Sequence, residues 1–233
     1  MSDDFKTIQN KPMEGLRGVP LNLSLSRLIV NKPGLIGCNI VGTQQSGKSA
    51  YALMVLYELY KGDVEKVFKH VVFTIKDLTT LLNNALQNHE RLLCVLWDDS
   101  SVHGSAAQYN TNRRLVQYLS AMGDTLGIAT KGILLTSPSG DIIKAFRNYN
   151  FYKVQIGLGR HKYDRVARGY EFGMSPFNQK WGRISFEDSY DVRLPFYERY
   201  YKLREQLSLA TLADMNTFIN GPQENPSPVL EVV

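Results

Sequence analysis

The chain has 233 residues, 43% hydrophobic and 21% charged, with a net charge of +5. That is ordinary globular composition, enough for one large α/β core or a core with a small appendage. No apolar run approaches the ~18 residues of a membrane span, the acidic, polar N-terminus has no signal-peptide character, and two cysteines cannot make a disulfide framework.

Residues 1–20 lack periodicity and hold Pro12, Gly15, Gly18 and Pro20, so they read as an irregular arm. Residues 21–30 alternate apolar and polar, which predicts a strand or an extended lead-in. A turn at 31–34 (Asn-Lys-Pro-Gly) opens an apolar strand at 35–41. Next comes Gly42-Thr43-Gln44-Gln45-Ser46-Gly47-Lys48-Ser49, then Ala50. This is G-x-x-x-x-G-K-[ST], the phosphate-binding P-loop. The preceding strand and a following helix at 48–61, closed by Gly62, are the context that the motif requires.

A short strand at 70–73 follows, and Thr74 caps a helix at 75–86 whose leucines Leu78, Leu81, Leu82 and Leu86 recur at three and four. Residues 92–97 (Leu-Leu-Cys-Val-Leu-Trp) form a continuous apolar run, the pattern of a parallel strand covered on both faces. It ends at Asp98-Asp99. Residues 102–112 read as a loop over the site. A helix at 112–126 follows, with Leu115, Leu119, Met122 and Leu126 on one stripe. Another strand, 132–138, ends in Thr136 and Ser137, and a helix spans 141–148. Alternating stretches at 152–158, 165–172 and 181–186 predict antiparallel strands. Pro195 opens a helix to about residue 214, and residues 216–233 read as a flexible tail.

The predicted fold is α/β: a mostly parallel sheet flanked by helices, with a small antiparallel extension and a C-terminal helix. The predicted division is an arm at 1–20, a nucleotide-binding core at 21–150, a basic extension at 151–215 and the tail. Cys38 and Cys94 lie in apolar runs and read as buried free thiols of a reducing, cytoplasmic compartment.

The motif residues predict a division of labour. Backbone N–H groups from Gly42 to Ala50 cradle phosphate oxygens. Lys48 reaches the β- and γ-phosphates, and Ser49 binds Mg²⁺. Asp98, ending a buried strand 50 residues after Lys48, supports the Mg²⁺ shell, and Asp99 orients or activates water. Asp and Ser also end strands as plain turn residues. Thr136 or Ser137 stands where a polar sensor of the γ-phosphate belongs, or else serves a turn or helix cap. Arg147 and Arg114 are candidates for an arginine that meets spreading phosphoryl charge, or ordinary surface arginines.

Residues 42–49 together with 92–99 resemble the P-loop NTPases of the additional-strand class, which includes the AAA+, RecA-like and HerA/FtsK-type ATPases. The class implies a strand between the two motif strands, and 71–73 is assigned to it. In size and layout the chain is also similar to ATPases of archaeal viruses and plasmids, whose roles include genome packaging, replication initiation and DNA segregation. The resemblance implies ATP and Mg²⁺ as cofactors and self-assembly into an oligomer. Asp99 departs from the family's usual glutamate by one methylene, which implies slow intrinsic turnover. No guanine-specificity motif of the Asn-Lys-x-Asp kind is present.

Between Lys144 and Arg204 the chain carries 13 Lys/Arg against 6 Asp/Glu. The surplus fits an anionic partner such as DNA, or a solvated face. Lys153, Arg160, Lys162, Arg165 and Arg168 are the candidates to neutralise backbone phosphates, with Tyr163 and Tyr170 to stack on bases. Two functions therefore stand: a Mg²⁺-dependent ATPase acting on DNA, or a small-molecule phosphotransferase with Asp99 as the base for a substrate hydroxyl. A third is a partner-binding protein whose nucleotide is structural.

Overall fold

The computed structural model describes residues 21–100, 125–138, 150–174 and 180–220. The chain divides into two compact units between Arg193 and Leu194. The first holds α1 (Ser24–Asn31), β1 (Ile36–Val41), α2 (Lys48–Leu59), α3 (Val64–Lys69), β2 (Val71–Val72), α4 (Ile75–Gln87) and β3 (Val95–Trp97). It continues with a helical stretch at 125–129, then β4 (Gly132–Ser137), β5 (Asn150–Leu158), β6 (Asp164–Met174) and β7 (Lys180–Asp191). The second unit contains α5 (Tyr197–Asn220), which runs past the expected end at 214. Among the described residues no helix is long and apolar enough to cross a membrane.

One seven-stranded sheet has the order β2-β3-β4-β1-β5-β6-β7. Pairing is parallel from β2 through β5 and antiparallel from β5 to β7. The α/β expectation holds, and the antiparallel strands continue the same sheet. The strand assigned between the two motif strands needs correction. β2 lies at the sheet edge, and β4 separates the P-loop strand from the Asp98 strand. Order along the chain does not dictate order across a sheet.

The parallel strands are buried through, as their continuous apolar runs imply: β1 and β4 are buried at all six positions. On one face Val72, Val95, Trp97, Ile133 and Leu135 pack with Leu78 and Leu82 of α4 and with Leu126 and Ala129. Trp97 satisfies its indole by donating to Phe73 O at 2.9 Å. The strand predicted over 92–97 is paired as a strand at only three residues, with Leu92 making a lone bridge to Thr130. Thr74 does cap α4, accepting from Asp77 N at 3.1 Å. Both cysteines are buried and free, and burial pushes their thiols far above the usual range.

The strand expected over 21–30 is a helix. Leu25, Ser26 and Ile29 are its buried residues, a helical stripe rather than an alternation. Leu23, at the N-cap, offers no side-chain acceptor. Distant carboxylates supply it. Glu58 accepts from Asn22 N at 3.1 Å and from Leu23 N at 3.1 and 3.2 Å; Asp188 accepts from Ser24 N at 2.9 and 3.1 Å. The predicted loop at 102–112, the helix at 141–148, Arg114, Arg147 and residues 221–233 of the predicted tail lie outside the described residues, while residues 216–220 of that tail are helical, the end of α5.

Candidate functional site

β1 carries the chain to Gly42, and the loop then turns sharply into α2. Gln45 and Gly47 sit at positive φ, 60° and 99°. A Cβ at Gly42 would lie 2.6 Å from Ser46 Oγ, and one at Gly47 would lie 2.9 Å from Val192 Cγ1 and 3.1 Å from Tyr190 Oη. Backbone conformation demands glycine at Gly47, and at both positions a Cβ would force a neighbouring side chain to shift. Gly47 is the N-cap of α2 and offers no side chain to its first turn. The first-turn N–H groups and the positive end of the helix dipole lie at this end of α2, which suits an anion.

Lys48 and Ser49 open that helix and are buried. The Lys48 ammonium donates to Gly42 O at 2.9 Å and to Thr43 O at 2.7 Å, folding back across its own loop. Ser49 Oγ donates to Asp98 Oδ1 at 2.8 Å. Asp98 is wholly buried at the exit of β3, and its N–H donates to Val72 O at 2.9 Å. Thr136, wholly buried near the end of β4, donates to the same Asp98 oxygen at 2.6 Å and accepts from Asp99 N at 2.8 Å. Asp99 has φ +48°, a left-handed conformation that Asp tolerates better than most residues. Ser100 Oγ donates to Thr136 O at 3.0 Å. Ser137 is buried opposite Val41, and Ala50 is buried in α2, while Thr43, Gln44 and Gln45 are exposed.

The sheet explains this convergence. β1 and β3 flank β4, so the loop after β1, the acids after β3 and the hydroxyl of β4 meet at the carboxyl ends of neighbouring parallel strands. That is where ligands bind in open α/β sheets. The architecture is α/β, one mixed sheet that is parallel from β2 through β5 and flanked by helices. No family model and no curated protein matches the chain. Among solved structures it is similar to the N-terminal domain of zonular occludens toxin from Neisseria meningitidis, with 16% identity over 66% of this chain and 95% of that one and a TM-score of 0.40. A likeness that loose carries no functional weight.

The residues fit a nucleotide with Mg²⁺. Ser46 Oγ is buried and makes no hydrogen bond among the described residues; a phosphate oxygen would supply its acceptor. Ser49 Oγ and the Asp98 carboxylate form a pair of hard oxygens 2.8 Å apart. Mg²⁺ takes few protein ligands and completes its shell with water and substrate phosphate. Among the described residues no group of three His, Cys, Asp or Glu could hold a metal.

Sequence reasoning missed one wall. β6 and β7 lie against the P-loop: Arg165 Nε donates to Ser46 O at 3.1 Å, and Tyr190 Oη donates to Gly47 O at 2.9 Å. Tyr51 of α2 donates to buried Asp188 at 2.6 Å; burial, then the Asp188 charge, hold its phenol well above the usual range. Strand alternation was the available signal, since Arg165 and Ala167 share a face, as do Asp188 and Tyr190. Turning that into a contact with the loop needs the β6–β7 register.

Other basic residues of the extension have acidic neighbours. Arg168 pairs with Glu187 at 2.7 Å, Arg183 with Glu171 at 2.8 Å, and Arg193 with Asp191. Lys153, Arg160 and Lys162 are exposed. Tyr163 has Arg193 4.6 Å and Lys162 5.3 Å from its ring centre.

Proposed function

We propose that the chain binds ATP with Mg²⁺ at the Gly42–Ser49 loop and hydrolyses its terminal phosphate. The hydrogen bond from Ser49 to Asp98 supports this reading best, because it joins the loop that would grip phosphate to the acid that would hold the metal. The loop amides and the Ser46 hydroxyl bind phosphate oxygens. Lys48 leaves the carbonyls of Gly42 and Thr43 for the β- and γ-phosphates. Ser49 and Asp98 hold Mg²⁺, which neutralises charge on those oxygens. Thr136 fixes Asp98 and the Asp99 backbone together. Asp99 accepts a proton from the attacking water as its oxygen bonds to the γ-phosphorus and the bond to the bridging oxygen breaks.

The test is phosphate release from MgATP with no acceptor present. Release that EDTA stops and Lys48→Ala abolishes is the expected result. Turnover only with an added hydroxyl acceptor would instead identify a phosphotransferase. Bound nucleotide without turnover would leave a structural role.

Action on DNA and assembly into an oligomer extend the same reading. They draw on the basic surplus after Lys144, narrowed to exposed Lys153, Arg160 and Lys162 now that Arg165 is committed to the loop. DNA binding that weakens steeply with salt, together with DNA-stimulated hydrolysis, is the expectation. No binding at low salt refutes it.

A further inference from the structure

We infer that Arg165 and Tyr190 are positioning residues of the phosphate loop, holding two of its carbonyls outward so that the adjoining N–H groups face the phosphates of the nucleotide proposed above. In a planar trans peptide, the carbonyl of one residue and the N–H of the next point in opposite directions. No cis peptide is present among the described residues. The Ser46 carbonyl therefore sets the Gly47 N–H, and the Gly47 carbonyl sets the Lys48 N–H. Arg165 Nε binds the first carbonyl at 3.1 Å; the second accepts from Tyr190 Oη at 2.9 Å, beside the helix bond from Tyr51 N at 3.0 Å. Gly47, the hinge between these two peptides, has the conformational freedom that needs such restraint.

Both anchors are themselves held. Arg165 Nη1 donates to Lys162 O at 2.9 Å and Asp164 O at 2.8 Å, so the planar guanidinium reaches three carbonyls from one side chain. Arg165 and Tyr190 are direct partners in the β6–β7 ladder. The Tyr190 ring packs on Tyr51 at 5.1 Å, and Tyr51 is tied to Asp188, two residues back along β7. Asp188 also secures the N-terminus of α1. The antiparallel half of the sheet is thus structurally part of the phosphate site.

The test uses Tyr190→Phe, which keeps the ring and removes one hydroxyl, and Arg165→Lys, which keeps charge and loses the planar fork. MgATP affinity is measured by calorimetry, turnover at saturation by phosphate release, and exchange at the Gly47 and Lys48 amides of the nucleotide-free protein by ¹⁵N relaxation dispersion. Affinity should fall about fivefold for Tyr190→Phe, the worth of one neutral hydrogen bond, and about tenfold for Arg165→Lys. Saturated turnover should change little, the signature of lost uniform binding. Both amides should acquire microsecond-to-millisecond exchange. If Arg165→Lys does not fold, Tyr190→Phe alone decides. Native affinity and unchanged amides in the folded variants would overturn the assignment. A native protein that binds no MgATP sinks the nucleotide reading instead, while the amide measurement still judges the anchors.

Discussion

Thr136→Val removes one hydroxyl from the point where three elements meet and leaves side-chain shape nearly unchanged. The native hydroxyl donates to the buried Asp98 carboxylate at 2.6 Å and accepts from Asp99 N at 2.8 Å. Losing a hydrogen bond to a charged group costs about 2 kcal/mol, and leaving the Asp99 N–H without its acceptor adds about 1 kcal/mol. The extra methyl returns about 0.8 kcal/mol by burial. The net loss is about 2 kcal/mol, or a melting point lower by roughly 4–8 °C for a chain of this size. Thr136→Ser keeps the hydroxyl and gives up only a methyl, so it should fall by about half as much. Thermal melts of all three proteins read this directly, and phosphate release should drop further in the valine variant because both acids lose their common tether. A valine variant that melts with the native protein, or a serine variant that falls as far as valine, would refute the tether.

Asp99→Asn should keep MgATP binding yet slow single-turnover hydrolysis on the order of 10²–10⁴-fold, the usual contribution of a general base; hydrolysis at the native rate would remove Asp99 from that role. Gly47→Ala must place an alanine at φ +99° against Val192 and Tyr190. It should cost about 2 kcal/mol or more and weaken nucleotide binding, as melts and calorimetry would show. Glu171 gives a pH signature. Hydrogen bonds from Lys32, then Arg183, hold its carboxyl at about 2 against an ordinary 4.5. A lowered folded value means that the stabilisation is complete above about pH 5 and disappears as pH falls toward 2. Because Lys32 and Arg183 are 41% and 68% exposed, solvent screening reduces it to about 1 kcal/mol. Glu171→Gln should therefore lower the urea midpoint at pH 7, and the gap from native should close as the solution is acidified; a gap independent of pH would show that the charge is not its source.

What could be read from the sequence was local. The glycine-bounded loop at 42–49 announces itself within eight residues, and Thr74 with the leucines of α4 carries its own cap and stripe. Asp98 was legible because a doubly covered strand leaves an unbroken apolar run before its first acid. The misread segment, 21–30, failed for a physical reason: its leucines and serines imitate a strand's alternation, while its capping groups are Glu58 and Asp188, invisible at close range. Placing β4 between the motif strands, and Arg165 and Tyr190 against the loop, required sheet order and register. Both are set by the whole packing arrangement.

The borrowed caps of α1 also bear on how the molecule comes to be made. Ser24 leaves the ribosome 164 residues ahead of Asp188, and an eight-residue helix is too short to persist alone in water. Glu58 can take up Asn22 and Leu23 early, but the Ser24 N–H waits for its carboxylate until β7 arrives. The capping of the earliest helix of the described chain is thus completed only with the last strand of the sheet, which ties that end of the polypeptide to the finished sheet.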